Sequence, residues 1–219
     1  MWGDIETDHV ASMDAIADED AEFVMGVDVG VKNLALCVIN KGTQEIVAWE
    51  LLNCLQDGEA VPTASECVAR TSQKLHHLLA TQMHKSIAIE RLTAVGVEAQ
   101  PFGASSMANN KMRSVQAAIE SAVAIALPQV KCSPISPQSK RCTGASYTER
   151  KRDAVRQAGE HILGTPWEAF FNTHGKKDDL ADAFLIARAM CALPKRKRKR
   201  RAVRKEGADQ VGVGTTDEP

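Results

Sequence analysis

Three apolar segments stand in close succession near the start of the chain, and they restrict the fold more than any other feature. They are residues 23–30 (FVMGVDVG), 34–40 (LALCVIN) and 44–52 (QEIVAWELL). Short apolar runs bounded by turn residues suit buried strands. Between the second and third, Asn40-Lys41-Gly42-Thr43 has hairpin-turn chemistry. The expectation is an antiparallel meander of three strands. Aromatic residues make up only 4% of the chain, so its core must be built mainly from Val, Ile, Leu and Ala.

Further along, the period changes. Residues 63–83 have helical spacing, with Val68, Leu75, Leu78 and Leu79 able to share a face. Residues 86–90 (SIAIE) predict a short buried strand, and residues 91–108, which hold Gly, Pro, Ala and Ser, predict a loop. A second helix is expected over 109–127, where Met112, Val115, Ile119 and Val123 recur and Pro128 stops the run. Residues 129–133 (QVKCS) predict another strand, and 147–163 and 178–192 two more helices. This order requires a mixed sheet flanked by helices.

Charge is segregated. Residues 1–22 hold acidic side chains and no Lys or Arg, whereas residues 195–205 (KRKRKRRAVRK) are almost wholly basic. The net charge of -1 therefore says little about partners. Three parts are expected: a disordered acidic arm over 1–22, a folded domain over 23–193 and a disordered basic tail over 194–219. The run 195–201 suits phosphate binding or nuclear targeting. Lys111, Arg113, Lys140, Arg141 and residues 150–152 (RKR) offer the domain its own phosphate contacts. The acidic arm is expected to shield the basic tail when DNA is absent. Six cysteines without a C-x-x-C spacing argue against zinc and for a reducing compartment. No apolar stretch is long enough to cross a membrane, and residues 1–22 lack the features of a secretory or mitochondrial leader. A soluble intracellular protein is expected.

The candidate site is a set of carboxylates. Asp28 sits within an apolar strand, where a lone charge is costly unless it is paired or metal-bound. The alternative is an Asp capping the strand-end turn. Glu90 ends the expected strand 86–90. On the last helix Asp179 and Asp182 are three apart, and Asp178 and Asp182 four apart, so helical geometry brings either pair together. Asp178 also suits the helix cap. Carboxylates converging from three elements repel one another, and a hard divalent cation relieves that repulsion. Two such ions about 4 Å apart can activate water and stabilise the leaving oxygen in phosphodiester cleavage.

The pattern GVDVGVKNLALCV, then IAIERL, then KKDDLADAFLIA resembles the Holliday junction resolvases of the RuvC type. It is most similar to the branch found in poxviruses and other large DNA viruses, with fungal mitochondrial resolvases nearby. The resemblance spans about residues 23–192. It implies an α/β, RNase H-like fold with a mixed five-stranded sheet flanked by helices. It implies a homodimer that makes paired symmetric nicks in four-way or branched DNA during recombination, repair or replication. It implies Mg²⁺ as cofactor, two ions with Mn²⁺ able to substitute, and Asp28, Glu90, Asp179 and Asp182 as ligands. A family lysine between the last strand and the following helix corresponds to Lys140 or Lys151, as a charge stabiliser near the scissile phosphate. Arg91 departs from the Gln that often follows the strand-end Glu. A viral member would work in the host cytoplasm or nucleus.

Two other readings compete: a different RNase H-like nuclease acting on RNA–DNA hybrids or flaps, and a non-catalytic DNA-binding module. Paired cuts need two active sites, hence a symmetric dimer. The second helix is the expected interface, since its apolar residues extend around much of its circumference.

Overall fold

The computed structural model describes residues 20–55, 59–60, 62–79, 87–100 and 107–192. The basic tail, all but the last three residues of the acidic arm, and the end of the first expected helix (80–83) lie outside the described residues.

The expected meander is present. β1 (Phe23–Asp28) pairs antiparallel with β2 (Asn33–Asn40), which pairs antiparallel with β3 (Ile46–Asn53). Asn40 closes the second hairpin, its Oδ1 accepting from the Gly42 and Thr43 amides at 2.8 and 3.2 Å. The chain continues through α1 (Ala64–His77), α2 (Ile87–Glu90), β4 (Leu92–Glu98), α3 (Met107–Ala126) and β5 (Lys131–Ile135). A 3-10 turn (Pro137–Lys140), α4 (Tyr147–Ile162), α5 (Trp167–Thr173) and α6 (Lys177–Ala192) complete it. The sheet order is β3-β2-β1-β4-β5, with β4 parallel to both β1 and β5. This is the expected mixed five-stranded sheet with helices on both faces.

The fourth strand is not where the sequence placed it. Residues 87–90 are a single helical turn, and the strand occupies 92–98, inside the expected loop. The physical reason is the face it presents. Val95 and Val97 are fully buried on one side, while Ala94 and Gly96 lie on the other, under α6. Small residues there look like loop composition, but the space beside Gly96 is filled: a Cβ would meet Met190 and Ile135 side chains at 2.8–2.9 Å.

Strand parity divides the core. Phe23, Met25 and Val27 of β1 pack with Leu75, Val115, Ile119 and Val123 of α1 and α3. Val24 faces the other way, toward the α4–α6 layer. On that side Gly26 lets α6 lie directly on the sheet, since a Cβ there would stand 2.2 Å from the Ala183 oxygen and 2.4 Å from the Ala187 nitrogen. Trp49 of β3 locks the layer. It stacks on Phe171 at 5.2 Å, and its Nε1 donates to the Leu180 oxygen at 3.0 Å. All six cysteines are unpaired thiols, Cys37 buried among them.

Candidate metal and nuclease site

β1 and β4 run parallel, so their carboxyl ends emerge at the same edge of the sheet. The register pairs Gly26 with Gly96 and Val27 with Val97, which sets Asp28 beside Glu98. Both carboxylates follow the same two residues, Gly-Val, and by strand alternation both lie on the α6 face. Beyond Asp28 the chain turns sharply at Gly30, where a Cβ would lie 2.2 Å from the Asn33 oxygen. That turn returns Asn33 to the cleft, where its Nδ2 donates to Asp179 Oδ2 at 3.1 Å.

The other members arrive from α6, α4 and the 3-10 turn. The close packing of Ala183 and Ala187 over Gly26 holds α6 down, and Asp182, next in sequence to Ala183, points at the strand ends. Lys140 closes the 3-10 turn after β5. Its Nζ lies 2.7 Å from Glu98 Oε1 and 2.9 Å from Asp182 Oδ1, and its side chain is only 10% exposed. Lys151 of α4 pairs with Asp178 and stands 3.9 Å from Asp179 Oδ1. Asp28, Glu98, Lys140, Lys151, Asp179 and Asp182 thus line one cleft of about 560 Å³.

The electrostatics follow from this crowding. Burial pushes the Asp28 carboxyl well above the usual carboxylate range, and the Glu98 and Asp182 charges add to it, against Lys140. Burial also raises Asp182, partly offset by Lys140. For Lys140 burial favours the neutral amine, but the Glu98, Asp182 and Asp28 carboxylates outweigh it and hold the ammonium. Burial likewise works against charge on Lys151 and Asp178, and their mutual pairing prevails, raising the lysine and lowering the acid.

Of the residues expected from sequence, Asp28, Lys140, Lys151, Asp179 and Asp182 come together. Glu90 does not. It is exposed and stands before the start of β4, where Phe23 pairs with Leu92, at the opposite end of β1 from Asp28. Glu98 occupies the position expected of Glu90. A signal for it was present in the sequence: Gly96-Val97-Glu98 repeats the Gly26-Val27-Asp28 pattern. Arg91 is also outside the cleft, and the residues that follow the strand-end acid in the structure are Ala99 and Gln100. Asp153 was not anticipated either. It is buried, and it ties down the segment after Lys140 by accepting from the Thr143 amide at 2.7 Å.

Among the described residues, no three His, Cys, Asp or Glu side chains are spaced to grip a metal as they stand. The Lys140 ammonium stands among the carboxylates instead. The donor set nevertheless fits a hard divalent cation, because it consists of carboxylate oxygens, converges from three elements and already holds a cation.

Comparison with known proteins gives a consistent picture. A family model described as poxvirus A22 protein matches residues 22–195. RuvC from T. thermophilus, solved with a Holliday junction substrate, is 22% identical with a TM-score of 0.52, over 77% of this chain and 91% of that one. Fowlpox virus resolvase, solved with its substrate Holliday junction DNA, is 18% identical with a TM-score of 0.51, over 77% and 96%. The yeast mitochondrial Holliday junction resolvase is 19% identical with a TM-score of 0.50, over 77% and 78%. These structures share the fold. No curated protein sequence matches significantly.

Proposed function

This chain belongs to the poxvirus A22 protein family, and on that premise we propose how its cleft works: the chain is a Holliday junction resolvase, a metal-dependent endonuclease that cuts four-way DNA junctions. The observation that carries the reading is the meeting of Asp28, Glu98 and Asp182 at one sheet edge, with Asp179 beside them and two lysines facing them.

In this reading Asp28, Glu98, Asp179 and Asp182 hold Mg²⁺, two ions at full occupancy, and Glu98 takes the role first expected of Glu90. Bound there, the metal supplies activation of water and neutralisation of charge on the phosphate oxygens. Lys140 and Lys151 contribute positive charge where the pentavalent phosphate accumulates negative charge. Asn33 orients Asp179 through its hydrogen bond, and Asp178 holds Lys151 over the cleft. Lys32, Lys111 and Lys176 line an adjoining hollow that shares Gly30, Met112 and Asp179 with the cleft. They suit the phosphates flanking the scissile bond.

Symmetric nicking requires two such clefts, so we propose a homodimer. Support comes from α3, where Val115, Ile119 and Val123 face the core while Ile125 is 82% exposed. The arm over 1–22 and the basic tail over 194–219 belong in this reading to DNA binding and its regulation. No helix among the described residues is long and apolar enough to cross a membrane.

The test is incubation with a mobile four-way junction and Mg²⁺, with nicks mapped on all strands. Paired nicks at symmetric positions are expected. Cleavage of RNA–DNA hybrids or flaps without paired junction nicks would overturn the assignment in favour of another nuclease of this fold.

A further inference from the structure

We propose that Lys140 occupies the cation seat of the carboxylate cluster when no metal is bound, so that metal binding is an exchange that drives its ammonium off the carboxylates and into the cleft. The inference rests on the metal reading above and adds the order of events.

Without a cation the cluster could relieve its repulsion only by taking up protons. Asp28 is 8% exposed and faces Glu98 and Asp182, and buried like charges are costly unless something opposite meets them. Lys140 meets Glu98 and Asp182 directly, at 2.7 and 2.9 Å, from a side chain more buried than either of theirs. A hard divalent ion draws on the same carboxylate oxygens. An ammonium held against Glu98 Oε1 and Asp182 Oδ1 repels a divalent ion drawn to the same two carboxylates, so the two cations compete for one seat.

The lysine is built to be exchanged without disturbing the fold. Its backbone is anchored on both sides. The Arg141 amide donates to the Gln138 oxygen at 3.2 Å, and the Ser139 amide to the Ser136 oxygen at 2.8 Å. Beyond them the Thr143 amide is held by Asp153. The four-carbon stem above this anchored turn is flexible, and its ammonium is a compact point charge with rotatable donors. Displaced, it stays within the same cleft, which also carries Lys151. An anionic phosphate is then the partner that replaces the lost carboxylates. Metal binding thereby delivers Lys140 to the substrate and keeps it withdrawn until metal is present.

The experiment is calorimetric titration of Mg²⁺ into DNA-free protein, for the wild type and Lys140→Met, with thermal unfolding of both. Because the variant removes the competitor, it should bind Mg²⁺ at least about tenfold more tightly than the wild type. Its metal-free Tm should be lower, and the gap should close at saturating Mg²⁺. Equal or weaker Mg²⁺ binding by Lys140→Met overturns the exchange while leaving the metal reading intact. Absence of Mg²⁺ binding by both proteins overturns the metal reading and the exchange with it. If the variant does not fold, the wild type still decides. Acetylation of Lys140, followed by mass spectrometry, should be slow in metal-free protein and clearly faster at saturating Mg²⁺. Protection that does not change with Mg²⁺ overturns the proposal.

Discussion

Glu90 stands just before β4 and Glu98 is its last residue, and only the second reaches the cleft. Both follow short apolar stretches, and both have the look of a strand-end acid. The strand between them spans roughly 20 Å at about 3.3 Å per residue. Because β4 is parallel to β1, the carboxyl ends of the two strands come out together, beside Asp28, and their amino ends come out together, beside Phe23. A glutamate at the first edge meets Asp182 and Lys140, and one at the second meets solvent. In an open α/β sheet the carboxyl ends of the strands are where ligands gather. Which end of a strand an acid occupies thus matters more than the apolar residues next to it.

The largest test of this contrast is a pair of isosteric changes. Glu98→Gln should lower junction cleavage at saturating Mg²⁺ on the order of 10³-fold, as loss of a charge-bearing group at a reacting centre does. Glu90→Gln should leave the single-turnover rate unchanged. If Glu90→Gln were the damaging one, the site would lie at the other sheet edge and the assignment of Glu98 would fail.

The second test concerns what keeps the productive edge together. Gly26 is in the middle of β1, and α6 reaches Asp28 only because its backbone sits against that glycine. Gly26→Ala would place a methyl 2.2 Å from the Ala183 oxygen, a backbone atom that cannot swing aside. Chemical denaturation should show a loss of about 3 kcal/mol. Gly159 on α4 has nothing within 4 Å of its would-be Cβ. There the same change should add about 0.5–1 kcal/mol through helix propensity. Equal effects at the two positions would show that α6 is not held by close packing on β1.

Much of this arrangement was legible in the sequence. The three apolar runs and the Asn40 turn determined the meander, and helical spacing located α3, α4 and α6 to within a few residues, together with the start of α1. Asp28 and Asp182 were readable because each places a charge where apolar neighbours demand a partner. Glu98 was not read, for a specific reason. The residues before it include Ala94 and Gly96, which are small because α6 and β5 side chains press on them. Composition cannot distinguish a strand face crowded by a helix from a loop. The repeated Gly-Val-acid pattern carried the information, but its meaning depends on a parallel register between strands some 70 residues apart (Val27 with Val97). Lys140 and Lys151 were recognised as candidates, but their opposite carboxylate partners could not be assigned, since those contacts come from tertiary packing of α4 and the 3-10 turn.

Glu50 gives the smallest and most isolated test, because it is a half-buried acid at neither end of β4. It lies on β3 opposite Leu36, with Trp49 and Leu51 on the other face, and its Oε1 has no hydrogen-bond partner among the described residues. Burial raises its pKa from 4.5 to about 7. Unlike Asp28 it has no lysine among the described residues to answer it. Below pH 4.5 the folded and unfolded chains both carry the proton, and its full contribution to stability is present. As pH rises toward 7 the unfolded chain ionises first, so stability falls, and the loss is complete once the folded carboxyl has also ionised. Glu50→Gln removes that loss. Near pH 8 the variant should be more stable than the wild type by about 1–2 kcal/mol, after allowance for residual solvent screening. At pH 4 the two should coincide, and junction cleavage should be the same in both at any pH where both are folded. A stabilisation that did not grow with pH would mean that Glu50 is answered by a cation after all. A loss of cleavage would mean that the edge strand communicates with the cleft, and the division between an acid that works and an acid that is merely half-buried would have to be drawn elsewhere.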